Sequence, residues 1–193
     1  MTASLRALAV LTDPAAMWPR IAKEPDDAAS LLSTYVAPFA LIPLFSSLIG
    51  ACIIGVIVPS LGVVRASPLD GIFSAILGYV ATFANVLIVG FVIDVLAPMF
   101  GGRRDFNGAV KLAVYSFTPV WLAGIFLLLP GLRFLLLTGF YGAYVLIKGL
   151  PLLMKSAEQK SLLYAAIVVV LACALMLLTI SAQRALFGGP GGV

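Results

Sequence analysis

The sequence contains no histidine and only two cysteines among its 193 residues. It therefore lacks the commonest metal ligand and the side chain whose charge changes near neutral pH, and Ser-His-Asp catalysis is excluded. Cys52 and Cys173 both lie within apolar stretches, where a free cysteine behaves as a small hydrophobic residue, so we expect no disulfide. With no phosphate-binding loop and no cluster of metal ligands, the sequence predicts a protein without a cofactor and without enzymatic activity.

Charge is also scarce. Only 10% of the residues are charged, against about 25% in a soluble domain, while 62% are hydrophobic and the mean hydropathy is +1.15. A soluble fold of this size could not bury so much apolar surface, so we predict an all-α, polytopic membrane helix bundle. The net charge of +4 does not indicate nucleic-acid binding, because the basic residues are distributed between long apolar runs and act there as determinants of topology.

Five apolar stretches are long enough to cross a bilayer, which takes about 20 helical residues. The predicted spans cover about 31–58, 72–97, 111–129, 132–150 and 161–183, within a membrane domain at 28–183. The glycine-rich residues 184–193 predict a flexible tail.

The first 27 residues predict an interfacial segment that contains an amphipathic helix. Leu5, Leu8 and Leu11 recur at three-residue spacing and line one helical face. Asp13 and Pro14 are typical of a helix N-cap and the position after it. We expect Trp18 to anchor this segment at the depth of the lipid headgroups; the alternative is a solvated segment that docks on the bundle.

The distribution of Lys and Arg predicts the orientation of the chain. Five spans place the termini on opposite sides of the membrane. Nine basic residues fall on one side: Arg6, Arg20, Lys23, Arg103, Arg104, Lys111, Lys148, Lys155 and Lys160. Three fall on the other: Arg65, Arg133 and Arg184. This positive-inside bias predicts a cytoplasmic N-terminus and a C-terminus on the opposite side of the membrane.

The polar stretch from residue 101 to 108 separates two long apolar runs. Gly101 and Gly102 allow backbone conformations that other residues resist, and Arg103 and Arg104 are costly in hydrocarbon. We predict a tight cytoplasmic loop here.

Asp94 is an acidic residue inside a predicted span, which marks a candidate functional position. It lies near the cytoplasmic end of the second span, so we expect Lys111 or Lys148 to pair with it. The alternative is an interfacial carboxylate that contacts water or headgroups.

Other polar residues lie within the predicted spans: Asn85, Tyr115, Tyr141 and Tyr144. Small residues allow membrane helices to approach, and polar groups bond across them. We therefore interpret these side chains as packing contacts, with a substrate path as the alternative.

The order of several short motifs resembles that of the Yip family (Ypt-interacting proteins), in particular of a bacterial-type member. These motifs include Thr12-Asp13-Pro14, Glu24-Pro25, Phe100-Gly101-Gly102, Tyr115-Ser116, Tyr141 to Tyr144 and Gly149-Leu150-Pro151. The resemblance implies five spans and a cytoplasmic N-terminus. A bacterial-type member would lie in the bacterial inner membrane, with its C-terminus in the periplasm. Eukaryotic members act in vesicle traffic and bind Rab-type GTPases and one another. Because this sequence has no clear copy of their Asp-Leu-Tyr-Gly-Pro signature, GTPase binding is not carried over.

Two functions fit these observations. The first is a non-enzymatic membrane scaffold or organiser that contacts lipid and acts through a homo-oligomer or other membrane proteins. The second is a small transporter or channel that uses Asp94 and the polar residues of spans two to four. A water-filled cavity that reaches Asp94 would favour transport, whereas a bundle packed by tyrosine and glycine would favour the scaffold.

Overall fold

The computed structural model describes residues 3–24, 27–58 and 62–187. Cys52 and Cys173 are free thiols, as predicted. The fifth span continues to Phe187, so residues 184–187 of the predicted tail are helical. The remainder of that tail, 188–193, lies outside the described residues.

Two short helices precede the spans. Helix α1 comprises Ala3–Thr12 and helix α2 comprises Pro14–Ile21. Asp13 caps α2, because its carboxylate accepts a hydrogen bond from the amide of Ala16 at 3.0 Å.

Five helices are long and apolar enough to cross a membrane, and the all-α, five-span architecture is therefore confirmed. They cover Ala28–Ile54, Pro68–Phe100, Phe106–Leu128, Pro130–Leu153 and Glu158–Phe187. Their α-helical parts are Ala28–Leu31, Ala37–Ile49, Pro68–Leu96, Phe106–Ala123, Tyr141–Leu153 and Ser161–Phe187. The remaining parts are π-helix at Leu32–Val36 and Gly50–Ile54, and 3-10 helix at Ala97–Phe100, Gly124–Leu128, Pro130–Phe140 and Glu158–Lys160.

Successive spans run in opposite directions. The starts of the first, third and fifth spans and the ends of the second and fourth therefore lie together, and we call this the Asp94 end of the bundle. The opposite end, which carries Arg65, is the Arg65 end.

The first span ends earlier than the sequence predicted. The prediction of helix to residue 58 is wrong: the helix stops at Ile54, and strand β1 (Val56–Val58) pairs antiparallel with strand β2 (Gly62–Val64). Gly55 has a φ of 78°, a left-handed conformation that glycine adopts readily at a helix end. The strands are rich in β-branched valine and isoleucine, which favour extended backbone over helix.

Proline alters the first span near its start. Pro38 has no amide hydrogen to donate to the carbonyl of Thr34. The π-helical turn Leu32–Val36 lies directly before Ala37. Hydrogen bonds from residue i to residue i−5 therefore replace the α-helical i to i−4 bonds next to the position where proline removes a donor.

The fourth span begins with an unusually long 3-10 helix. Its eleven residues, Pro130–Phe140, rise about 2.0 Å each, against 1.5 Å in an α-helix. The stretch therefore covers about 22 Å instead of about 16 Å. This greater rise lengthens the span whose apolar stretch, between Arg133 and Lys148, is short.

The third span is the centre of the bundle. Within its most apolar window 67% of the residues are buried, against 17% for the first and fifth spans. Neighbouring spans approach it closely at glycines. A Cβ added to Gly90 of the second span would lie 2.9 Å from Cγ2 of Val110, and one added to Gly124 would lie 2.7 Å from Cβ of Pro43. Small residues therefore set the distances between these helices.

Candidate functional site

Asp94 lies near the end of the second span's α-helix and is only 6% exposed. Arg104, from the loop between the second and third spans, covers it. Its Nε and Nη2 atoms lie 3.0 Å and 2.9 Å from Oδ2 of Asp94. The other carboxylate oxygen, Oδ1, is buried, and no described residue donates a hydrogen bond to it.

The prediction that Lys111 or Lys148 pairs with Asp94 is wrong. Lys111 is buried and its ammonium group donates to the backbone carbonyl of Glu24. Lys148 is exposed and lies 5.6 Å from the ring centroid of Tyr144, within cation–π range. Arg104 takes the place beside Asp94 because the chain turns back immediately after the second span.

The loop between the second and third spans is held by its backbone. Gly101 adopts a left-handed conformation, with a φ of 75°, which reverses the chain after Phe100. The amide of Gly102 then donates to the carbonyl of Ala97 at 2.9 Å, and that of Arg103 donates to the carbonyl of Met154 at 2.8 Å. The second of these bonds joins this loop to the one that follows the fourth span.

The far end of the same loop starts the third span. Asp105 is the N-cap, and its carboxylate accepts a hydrogen bond from the amide of Gly108 at 3.1 Å. The third span therefore begins at Phe106, five residues earlier than predicted. Arg103 and Arg104 are exposed between these two fixed points.

Charged residues of the N-terminal segment also pack against the bundle. Nη2 of Arg6 lies 3.1 Å from Oε2 of Glu24, and its Nη1 donates to the hydroxyl of Tyr115 at 3.1 Å. The carbonyl of Glu24 accepts from Lys111. These contacts join the start of α1, the residues after α2 and the third span into one polar cluster at the Asp94 end.

Trp18 does not lie at the surface, and the prediction of an interfacial anchor is wrong for this residue. Its side chain is 1% exposed, its Nε1 donates to the carbonyl of Val145 at 3.0 Å, and its ring meets that of Tyr115 edge-on at 6.0 Å. Gly149 leaves the space for it, since an added Cβ would lie 2.5 Å from Cε2 of Trp18. Helix α2 thus docks on the fourth span.

The two candidate tyrosines of the fourth span lie on the side of the N-terminal helices. The hydroxyl of Tyr141 donates to the carbonyl of Leu11 at 2.9 Å, and its ring lies 5.5 Å from that of Tyr144. Tyr141 precedes Leu153 by twelve residues (153 − 141), which is about 18 Å along an α-helix. The turn between α1 and α2 therefore lies about 18 Å from the Asp94 end of the fourth span, in the direction of the Arg65 end.

Asn85 joins the second span to the fifth, because its Nδ2 donates to Oγ1 of Thr179 at 3.3 Å. One turn further along the fifth span, Nε2 of Gln183 donates to the carbonyl of Ser74 at 2.7 Å. The Gln183 contact lies near the Arg65 end, and the Asn85 contact lies near the middle of the second span. They border a cavity of about 370 Å³, to which all five spans contribute.

The cavity does not include Asp94. Asn85 and Asp94 are nine residues apart in sequence, about 13 Å along the helix. Val86, Val89 and Ile93 between them are 0%, 4% and 0% exposed. The polar residues of the candidate site are therefore divided into two groups, one at the Asp94 end and one around the cavity.

The arrangement provides hydrogen bonding and charge pairing. Among residues 3–24, 27–58 and 62–187, no group of three or more His, Cys, Asp or Glu side chains is placed to hold a metal ion. The serine and threonine hydroxyls seen to bond within the spans contact backbone carbonyls, a tyrosine or an amide, as Ser47, Thr118 and Thr179 show.

Several contributing residues were missed by the sequence analysis. Tyr35 bonds to Thr118 through its hydroxyl at 3.0 Å, and Tyr164 donates to the carbonyl of Ile93. Gln183 lines the cavity. Each is a polar side chain inside or at the end of a predicted span, the same signal that had marked Asn85.

Comparison with known families gives one match. The model of the Yip1 domain matches residues 8–180, a range that includes α2, all but the end of the fifth span and every residue of the two polar groups except Arg6 and Gln183. No curated protein and no solved structure matches the chain significantly.

Proposed function

Because the chain belongs to the Yip1-domain family of integral, multi-pass membrane proteins, we propose that it is a non-enzymatic membrane scaffold that acts through contacts with other membrane proteins or with further copies of itself. The proposal rests on one observation: charged side chains of the protein bind other parts of the same chain. Arg104, Arg6 and Lys111 all hold parts of the chain to one another.

These contacts make the Asp94 end a fixed surface. The loop at 101–105 is bonded to the loop after the fourth span, and the residues after α2 are bonded to the third span. Exposed side chains on this surface include Met99, which is 71% exposed, and Arg103. A preorganised surface loses less conformational entropy when a partner binds, which suits a scaffold.

The proposed orientation places this surface in the cytoplasm of a bacterial cell. It rests on the nine basic residues assigned to that side against three on the other. The inner membrane is the proposed location, with the C-terminus in the periplasm.

The alternative is a small transporter or channel. The cavity near the Arg65 end is the feature that favours it. However, the cavity does not include Asp94, and Val86, Val89 and Ile93, which lie between Asn85 and Asp94 on the second span, are at most 4% exposed. We therefore favour the scaffold.

The two functions are separated by photocrosslinking in the native membrane. We would place a photoreactive amino acid at position 103, on the exposed loop, and at Leu69 as a matched control, which is 66% exposed near the Arg65 end. The scaffold predicts discrete crosslinked protein species from position 103 and none from position 69. Crosslinks to lipid alone at both positions, together with a solute flux that Asp94→Asn abolishes, would instead support transport.

A further inference from the structure

The cavity near the Arg65 end has two chemically different walls. One wall carries uncharged polar side chains of the second and fifth spans: Ser74, Tyr79, Thr82, Asn85, Thr179 and Gln183. The opposite wall is apolar and includes Phe117, Trp121 and Leu136 from the third and fourth spans. A volume of about 370 Å³ lies in the range of small-molecule sites, about 300–1,000 Å³. The shape and chemistry therefore fit an amphipathic ligand.

The polar wall offers both hydrogen-bond acceptors and donors. Asn85 uses its amide NH2 group on Thr179, and Gln183 uses its NH2 group on the carbonyl of Ser74. No described residue donates a hydrogen bond to the amide oxygen of either side chain. An amide oxygen can accept two hydrogen bonds, and each NH2 group has a second N–H, so the wall suits a group that both donates and accepts, such as an alcohol.

The lining also excludes a charged ligand. None of the residues that line the cavity is Asp, Glu, Lys or Arg. A phosphate or ammonium group placed here would lose its hydration without gaining an opposite charge, at a large free-energy cost. The ligand should therefore be neutral.

The position of the cavity points to the bilayer as its source. The cavity lies within the membrane-spanning helices, and Ile180, one of its lining residues, is 40% exposed on the fifth span. Its edge thus reaches the lipid-facing surface. Towards the Asp94 end, Val86 and Val89 of the second span are buried and do not line the cavity.

We propose that this cavity binds the headgroup of a neutral, hydroxyl-bearing membrane lipid, such as a diacylglycerol. The lipid hydroxyl donates to the amide oxygen of Gln183, and the glycerol backbone lies against Trp121 and Phe117. The acyl chains leave past Ile180 into the bilayer.

The test uses the full chain reconstituted in phosphatidylcholine nanodiscs with a photoreactive diacylglycerol. We expect labelled peptides from the cavity walls. Unlabelled diacylglycerol should compete, whereas its O-methyl ether, which has no hydroxyl hydrogen, and extra phosphatidylcholine should not. Equal competition by the methyl ether would overturn the proposal. Competition by free glycerol at similar concentrations would also overturn it, because the ligand would then be a soluble alcohol.

A variant pair provides the matched control. Gln183→Met removes the acceptor while keeping the length of the side chain, and should weaken labelling about fivefold, the effect of one neutral hydrogen bond. Gln159→Met changes an exposed glutamine away from the cavity and should leave labelling unchanged. If Gln183→Met does not fold, the methyl-ether competition on the unmodified protein still decides the question. Labelling spread evenly over the lipid-facing surfaces would contradict a built site.

Discussion

The guanidinium of Arg104 covers a carboxylate that would otherwise be buried alone at the end of a membrane helix. Asp94 has an 8% exposed side chain and Arg104 a 59% exposed one, so the pair is buried on one side and solvated on the other. Exposed pairs contribute about 0.2–1 kcal/mol, whereas removing one partner of a buried pair costs about 3–5 kcal/mol. The Asp94–Arg104 pair should lie between these limits.

We predict that Asp94 and Arg104 are energetically coupled. Asp94→Asn and Arg104→Gln should each lower the free energy of unfolding in detergent, and the double variant should lose less than the sum, by about 1 kcal/mol. The measurement is a double-mutant cycle on thermal or denaturant unfolding. Arg103→Gln is the matched control, since this neighbouring arginine is exposed and only its backbone holds the loop.

Coupling of Asp94 to Lys148 instead of Arg104 would contradict the observed pairing. Unchanged stability in Asp94→Asn, together with loss of a solute flux, would favour the transporter.

The sequence identified Asp94 as a candidate functional residue, but it did not identify the residue that pairs with it. An acidic residue in an apolar run is visible from the sequence, and so is its cost. The choice between Arg104, Lys111 and Lys148 depends on side-chain direction and on the turn at Gly101, which a linear count of charges does not contain. Lys111 lies at a suitable depth, but its ammonium group donates instead to the backbone carbonyl of Glu24, after α2.

Helices α1 and α2 are elements whose place is set by packing more than by amphipathicity. One side of the pair binds protein, since Val10, Met17 and Ile21 are at most 5% exposed. Leu5 and Leu8, on the face predicted to meet the membrane, are instead 54% and 57% exposed. The same pattern of apolar residues would suit a membrane surface, so the periodicity could not distinguish the two environments. Gly149, opposite Trp18, is the feature that allows the docking.

We predict that Gly149→Leu displaces α2 from the fourth span. A leucine side chain would occupy the volume of the Trp18 ring, and such overpacking costs about 1–3 kcal/mol. In a Trp121→Phe background, Trp18 is the remaining tryptophan. Its fluorescence should resist aqueous quenchers in the parent protein and become quenchable in the Gly149→Leu variant.

Gly131→Leu is the control for this experiment, because no atom lies within 4 Å of a Cβ added at Gly131. If Trp18 is quenched equally in the parent and in Gly149→Leu, the docked position of α2 is wrong.

The membrane spans were predictable from hydrophobicity alone, since backbone groups in lipid must be bonded within a helix. The backbone conformation at the ends of the spans was not predictable in this way. The hairpin of β1 and β2 replaces the expected last turn of the first span, where Gly55 ends the helix and valine-rich segments follow. The 3-10 helix Pro130–Phe140 had no clear signal, because its residues are equally compatible with an α-helix.

For the whole molecule, we predict that the C-terminus is periplasmic. An odd number of spans places the termini on opposite sides, and the basic residues assign the N-terminus to the cytoplasm. A reporter that is active only in the cytoplasm should be silent when fused after Val193 and active when fused before Met1. Activity of the C-terminal fusion would mean that the span count or the assignment of sides is wrong.

The central claim is that the Asp94 end is a rigid surface on which partners assemble, and hydrogen exchange of the loop at 101–105 tests it most directly. The amides of Gly101, Gly102 and Arg103 donate to the carbonyls of Pro98, Ala97 and Met154 at 3.1, 2.9 and 2.8 Å. In the protein reconstituted in membranes, these three amides should therefore exchange slowly although the loop is largely exposed. Exchange at the rate of an unstructured peptide would show that the loop is mobile and would contradict the scaffold surface proposed here.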